Sequence, residues 1–78
     1  MNVVIYTTAT CPWCHRAKEY LRSHNISFKE IRVDQDPQGI KEILRLTGQA
    51  GVPVIVINGR PIVGFDKQKI DNMLNIKG

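Results

Sequence analysis

A chain of 78 residues with 42% apolar residues can bury one small core, so a single domain over residues 1–78 is expected and no linker. Its formal charge of +4 comes from eleven Lys and Arg scattered among seven acids with no run of five or six like charges; this reads as a solvated basic surface that favours thiolates and acidic partners, and it argues against a nucleic-acid footprint. No apolar run approaches the roughly 18 residues of a membrane span, and Met1-Asn2-Val3-Val4-Ile5-Tyr6 carries no basic leader or cleavage site, so a soluble, cytoplasmic monomer is expected.

In chain order, Val3-Val4-Ile5-Tyr6-Thr7 is β-rich without polar alternation, which predicts a central strand buried on both faces, with Tyr6 used for packing. Cys11-Pro12-Trp13-Cys14 then opens a helix reaching about Arg22 or Ser23, with Pro12 in the first turn, where its missing N–H costs nothing. Ala17, Tyr20, Leu21 and His24 give that helix an inward stripe, and Lys18, Glu19 and Arg22 read as its solvated face. Phe28-Lys29-Glu30-Ile31-Arg32-Val33 mixes apolar and charged residues as a strand with one covered face at a sheet edge. Asp36 is a candidate N-cap with Pro37 at the first helical position, and Ile40, Ile43 and Leu44 keep helical spacing until Gly48. Val52 to Ile57 forms a strand interrupted near its start by Pro53, and Asn58-Gly59 turns it into Arg60-Pro61-Ile62-Val63. Asp66 caps a last helix carrying Ile70, Met73 and Leu74, with Phe65 as a hydrophobic staple on Ile70. The order β-α-β-α-β-β-α makes the first two strands parallel and the last two antiparallel, an α/β domain with a mixed four-stranded sheet.

This topology sets Cys11 just past the carboxyl end of the central strand, at the amino end of a helix whose free N–H groups and dipole favour an anionic sulfur. Cys11 is the candidate nucleophile and Cys14, one turn further in, the resolving thiol. Residues three apart on a helix are about 5 to 6 Å apart, within reach of a disulfide. A bridge over so short a loop restrains the unfolded chain little, so it makes a poor staple and a good switch. An ordinary thiol with a pKa of about 8.5 is some 3% thiolate at pH 7, and lowering the pKa to about 5 takes roughly 4.8 kcal/mol. A helix dipole supplies at most about 2 kcal/mol. The remainder is assigned to the N–H groups of Trp13 and Cys14, the Cys14 S–H and cations such as Arg16. No acidic residue precedes Glu19, so proton exchange at the dithiol is expected to use solvent.

Over nearly its whole length the sequence resembles the glutaredoxins, and more narrowly the short NrdH-type redoxins. The resemblance is carried by Val4-Ile5-Tyr6-Thr7 ahead of Cys11-Pro12-Trp13-Cys14, by Gly51-Val52-Pro53 where glutaredoxins have Thr-Val-Pro, and by Gly64-Phe65-Asp66 before the last helix. It implies a thioredoxin-like fold and a cis peptide at Pro53 that turns the Val52 backbone toward a substrate beside Cys11. It also implies a substrate groove of Pro12, Trp13, Val52, Pro53, Gly64, Phe65 and Asp66. Gly64 permits close backbone approach, and Asp66 caps its helix or receives a substrate carboxylate. No bound cofactor is implied; electrons come from NADPH through thioredoxin reductase, or from glutathione. Three positions depart from the glutathione-using pattern: Thr8 replaces a lysine, Gly51 a threonine, and Phe65-Asp66-Lys67 a Cys-Asp-Asp-like turn. Protein disulfides and mixed disulfides are the substrates implied, with ribonucleotide reductase, a peroxidase and mixed glutathione disulfides all compatible.

Two other chemistries share these thiols. Cys11-Pro12-Trp13-Cys14-His15 spells a c-type haem attachment, which would use His15 as one axial ligand and Met1, Met73 or His24 as the other. A zinc site would need both histidines beside the two cysteines. A metal or iron–sulfur carrier using the same pair is the main alternative to a dithiol oxidoreductase. Trp13, an aromatic at a solvent-facing turn, suits packing against a partner.

Overall fold

β-Branched residues dominate Val3–Thr7 (β1) and Val54–Ile57 (β3), and these two strands form the middle of a sheet ordered β2-β1-β3-β4. The structure, a computed structural model, describes residues 2–76; Met1, one of the axial ligands considered above, lies outside the described residues. The remaining elements are Pro12–Ser23 (α1), Lys29–Arg32 (β2), Pro37–Thr47 (α2), Arg60–Val63 (β4) and Lys67–Leu74 (α3), in the expected order. β1 runs parallel to β2 and antiparallel to β3, and β3 runs antiparallel to β4.

Alternation along the strands divides the core in two. Val3 and Ile5 of β1, with Ile55 and Ile57 of β3, pack on Ala17 and Leu21 of α1 and on Ile70 and Leu74 of α3. Tyr6, Val54 and Val56 face the other way, onto Ile43 of α2 and Val33. Three signals placed the turns. Asn58 and Gly59 both adopt positive φ, at 50° and 85°, as a two-residue hairpin requires. Asp36 accepts the Gln38 N–H at 3.1 Å and Asp66 accepts the Lys69 N–H at 3.2 Å, so both aspartates are N-caps. Gly48 ends α2 in the left-handed conformation.

Four readings of side-chain direction are corrected. Phe28 packs in the α1–α3 core while Ile31 and Val33 pack on the α2 side, so the β2 segment is covered on both faces. Leu44 is 44% exposed, and Leu46 packs inward in its place. His24 is not part of the inward stripe; it is the exposed C-cap of α1, with its ring 4.6 Å from that of Tyr20. Lys18, assigned to the solvated face, turns inward and leaves only 14% of its side chain exposed.

Gly39 was passed over in the sequence and is buried where α2 crosses β2. A Cβ there would stand 3.0 Å from Ile31 Cγ2 and 3.1 Å from Val33 Cγ1. Gly39→Val is therefore expected to lose about 1–3 kcal/mol to overpacking, read as a lower urea midpoint. An unchanged midpoint would mean that α2 can lift from β2 without loss.

Candidate functional site

The backbone turns from β1 into α1 through residues 8–10, and Cys11 lies at the join. Its φ of −116° and ψ of 102° are extended, so it is the N-cap of α1, and Pro12 takes the first helical position. The Cys11 sulfur accepts the Cys14 N–H at 3.1 Å, the contact expected to stabilise a thiolate there. The two cysteines are joined as a disulfide with Cα atoms 5.2 Å apart. Cys14 is 1% exposed and Cys11 is partly exposed, so an incoming sulfur reaches Cys11.

The loop ahead of Cys11 is held by β2 and its continuation. Asp34 accepts the Ala9 N–H at 3.2 Å and receives two bonds from the Arg32 guanidinium, at 2.7 and 2.6 Å. The guanidinium, helped by the Ala9 N–H, brings the Asp34 carboxyl down to about 2. An unfolded aspartate titrates near 3.9. Because the folded value is depressed, this contribution to stability is present above about pH 4 and is lost as the pH falls toward 2. The stability difference between the wild type and Asp34→Asn should then shrink over that window; a difference independent of pH would show that the Asp34 charge contributes nothing.

Five of the seven predicted groove residues come together in one groove. The Val52–Pro53 peptide is cis, and the Pro53 carbonyl accepts the Gly64 N–H at 2.8 Å, tying the start of β3 to the end of β4. Gly64 has φ +78°, open to glycine, and Phe65 follows. Trp13, Val52, Pro53, Gly64 and Phe65 line a groove of ≈ 250 Å³. That is below the range of about 300–1,000 Å³ for drug-sized ligands and suits an extended backbone segment. Pro12 lines a separate recess with Cys11, His15 and Arg16, and is not among the residues that line the groove. Asp66 spends one carboxylate oxygen on the Lys69 N–H, so capping is its observed role.

The groove wall is aromatic and braced. Trp13 is 54% exposed, with the Arg16 guanidinium 4.8 Å from its ring centroid and the Phe65 ring 6.3 Å away. Phe65 packs in turn on Tyr20 at 5.7 Å, as well as against the core cluster that contains Ile70. The Tyr20 hydroxyl donates to Asp71, which also accepts from Lys67 at 2.8 Å, joining α1 to α3. Lys67 and the Tyr20 hydroxyl together hold the Asp71 carboxyl below the ordinary range. Tyr6 is on the other face of the sheet. Its hydroxyl donates to Glu42 at 2.6 Å, and burial, reinforced by that carboxylate, pushes it up to about 12.

The family model described as Glutaredoxin matches residues 3–62 of the chain. The chain belongs to the glutaredoxin family. It is 49% identical to a glutaredoxin-like 8.6 kDa protein of the Clostridium pasteurianum rubredoxin operon, over 92% of this chain and 96% of that protein. It is 43% identical to glutaredoxin 3 of Escherichia coli K12, over 83% of this chain and 78% of that protein. A crystal structure of a thioredoxin-like protein carrying a T8A substitution superposes with a TM-score of 0.91 at 29% identity, covering 97% of each chain. Family and site agree on thiol–disulfide redox chemistry at Cys11 and Cys14 in a thioredoxin-like fold.

Sequence reasoning missed one part of this glutaredoxin site. Glu30, on β2, accepts the Thr7 hydroxyl at 2.6 Å and the Lys18 ammonium at 2.9 Å. A carboxylate does therefore stand under the helix that carries the dithiol, brought there by the sheet and not by nearness in sequence. The Thr7 hydroxyl, and after it the Lys18 ammonium, hold Glu30 below the ordinary carboxylate range against the opposing effect of partial burial. The available signal was charge: Glu30 shares the parity of Phe28 on β2, and Lys18 follows Cys14 by one turn, so opposite charges occupy two inward positions. Among the described residues no three His, Cys, Asp or Glu side chains gather in a group that could hold a metal. His24 lies ten residues beyond Cys14 on α1, about 15 Å along the axis.

Proposed function

We propose that the chain is a dithiol oxidoreductase that reduces protein disulfides, with Cys11 as nucleophile and Cys14 as resolving thiol. The observation that carries the reading is the Cys14 N–H directed onto the Cys11 sulfur at a helix amino end, with Cys14 itself buried. The Cys11 thiolate attacks one sulfur of a substrate disulfide, forming a mixed disulfide and releasing the other sulfur as a thiolate. Cys14 loses its proton and attacks the Cys11 sulfur, which closes the internal bridge and releases the second substrate thiolate. Two electrons from a reductant then reopen the bridge.

The groove supports an extended substrate segment lying beside Val52, with Trp13 and Phe65 as its apolar walls and main-chain groups as its partners. Its five lining residues include no charged side chain, and Thr8 and Gly51 supply none nearby. Glutathione carries two carboxylates, so these features favour NADPH with thioredoxin reductase as the electron source. Ribonucleotide reductase is among the compatible protein substrates, and the reading is of a cytoplasmic monomer. No helix among the described residues is long and apolar enough to cross a membrane.

The test is reduction of the oxidised protein by NADPH with thioredoxin reductase, beside NADPH with glutathione and glutathione reductase, followed as NADPH loss. Turnover with thioredoxin reductase alone supports both halves of the proposal. Turnover with glutathione alone overturns the choice of reductant. Loss of NADPH in neither arm, with a coloured protein on purification, would replace the dithiol reading with the metal or iron–sulfur carrier.

A further inference from the structure

Cys14 must become a thiolate to close the bridge, yet it is 1% exposed. Burial in apolar surroundings raises a thiol pKa and slows this step. The surroundings are not wholly apolar, however. Cys14, Ala17, Lys18 and Leu21 form the inward face of α1, and positions three and four apart on a helix are neighbours, so Cys14 is followed on that face by Ala17 and by the lysine at position 18. Lys18 keeps 14% of its side chain exposed and is anchored by Glu30, which keeps 27%. Thr7, fully buried at the end of β1, donates to the same Glu30 oxygen. A long side chain that loses most of its solvent and rotamer freedom has been fixed by its partners.

We infer that Lys18 and Glu30 are positioning residues for the resolving step: Glu30 and Thr7 hold the Lys18 ammonium on the inward face of α1, where its charge favours the Cys14 thiolate and the Glu30 charge limits that effect. Glu30 also lines a recess with Arg22 and Phe28 at the far side of α1, so the pair has contact with solvent. The other charged groups in reach are placed differently. Arg32 acts on Glu30 from its own strand, Arg22 faces it across the recess, and His15, Arg16 and Glu19 lie on the outer flank of Cys11. Substitutions at positions 18 and 30 leave these side chains in place.

The inference rests on the dithiol reading above. Its test is titration of Cys14 as the single thiol in a Cys11→Ser background, by thiolate ultraviolet absorbance, with Glu30→Gln, Lys18→Gln and Lys18→Arg added in turn. Glu30→Gln removes the opposing charge and should lower the Cys14 pKa by about half a unit or more. Lys18→Gln removes the cation and leaves the carboxylate, so the pKa should rise by a similar amount, and Lys18→Arg should restore it. In the protein with both cysteines, closure of the mixed disulfide should show the same displacements in its pH profile. A merely structural pair predicts shifts of one sign or none, because both substitutions break the same contact, and that result overturns the inference. If Glu30→Gln fails to fold, a Cys14 pKa raised by Lys18→Gln and restored by Lys18→Arg supports the inference and no rise overturns it; if Lys18→Gln fails to fold, a Cys14 pKa that Glu30→Gln does not lower overturns it. Failure of the wild-type protein to close a Cys11–Cys14 bridge on a substrate disulfide would instead overturn the dithiol reading.

Discussion

Cys11→Ser is expected to abolish reduction of protein disulfides, and Cys14→Ser to stop it after the first exchange. The two losses differ because the two sulfurs differ in access. Cys11 is the partly exposed N-cap sulfur that accepts the Cys14 N–H, and no other sulfur among the described residues holds that place. Removing it should lower kcat/KM by at least about a thousandfold, the scale on which loss of a covalent nucleophile acts. Cys14 is buried one turn inward, within bonding reach of the Cys11 sulfur but away from an incoming substrate. In Cys14→Ser the Cys11 thiolate still attacks and releases one half of the substrate, and the other half stays attached. Mass spectrometry of the reaction mixture should then show a stable adduct of Cys14→Ser with its substrate and none of Cys11→Ser. An adduct on the Cys11→Ser protein would reverse the assignment of the two thiols.

Ile55→Ala should cost about 3–4 kcal/mol, the upper part of the range for a core isoleucine cut back to alanine. Ile55 is completely buried, sits on the inner strand β3, and pairs across the sheet with Ile5 on one side and Ile62 on the other. The cavity would be roofed by α1 and α3, both of which are pinned by other contacts, Leu21 and Ile70 among them, so the site has little freedom to collapse. A domain of this size has a total stability of roughly 4–12 kcal/mol, so the change is a large share of it. Thermal unfolding should move down by roughly 15–25 °C. A drop of less than about 5 °C would show that the two helices can settle onto the sheet and fill the space.

Much of this was legible in the sequence because it is written locally. The run Val3 to Thr7, the proline one residue after Cys11, the Asn58-Gly59 pair and the aspartates before each of the last two helices act over a few residues, and the structure agrees with each. The groove was legible by resemblance: its residues come from three separate stretches, and composition alone does not join them. What was not legible depends on which partner waits across the core. Lys18 read as a surface lysine because its fate is decided by a carboxylate twelve residues away on another element. Leu44 and Leu46 differ by two positions on α2, and only the tilt of the helix on the sheet selects the second. Gly39 required knowing that Ile31 and Val33 lie beneath it.

The hairpin has a bearing on how the molecule behaves in a crowded solution. Its two-residue turn makes Ile57 and Arg60 the hydrogen-bonded pair, so the next pair, Val56 and Pro61, directs the Pro61 nitrogen to the open side of β4. A prolyl nitrogen has no hydrogen to give, and an incoming strand would find that rung missing. At the opposite border, β2 begins and ends with the charged Lys29 and Arg32. Both margins of the sheet thus discourage the strand-to-strand growth that leads to fibrils.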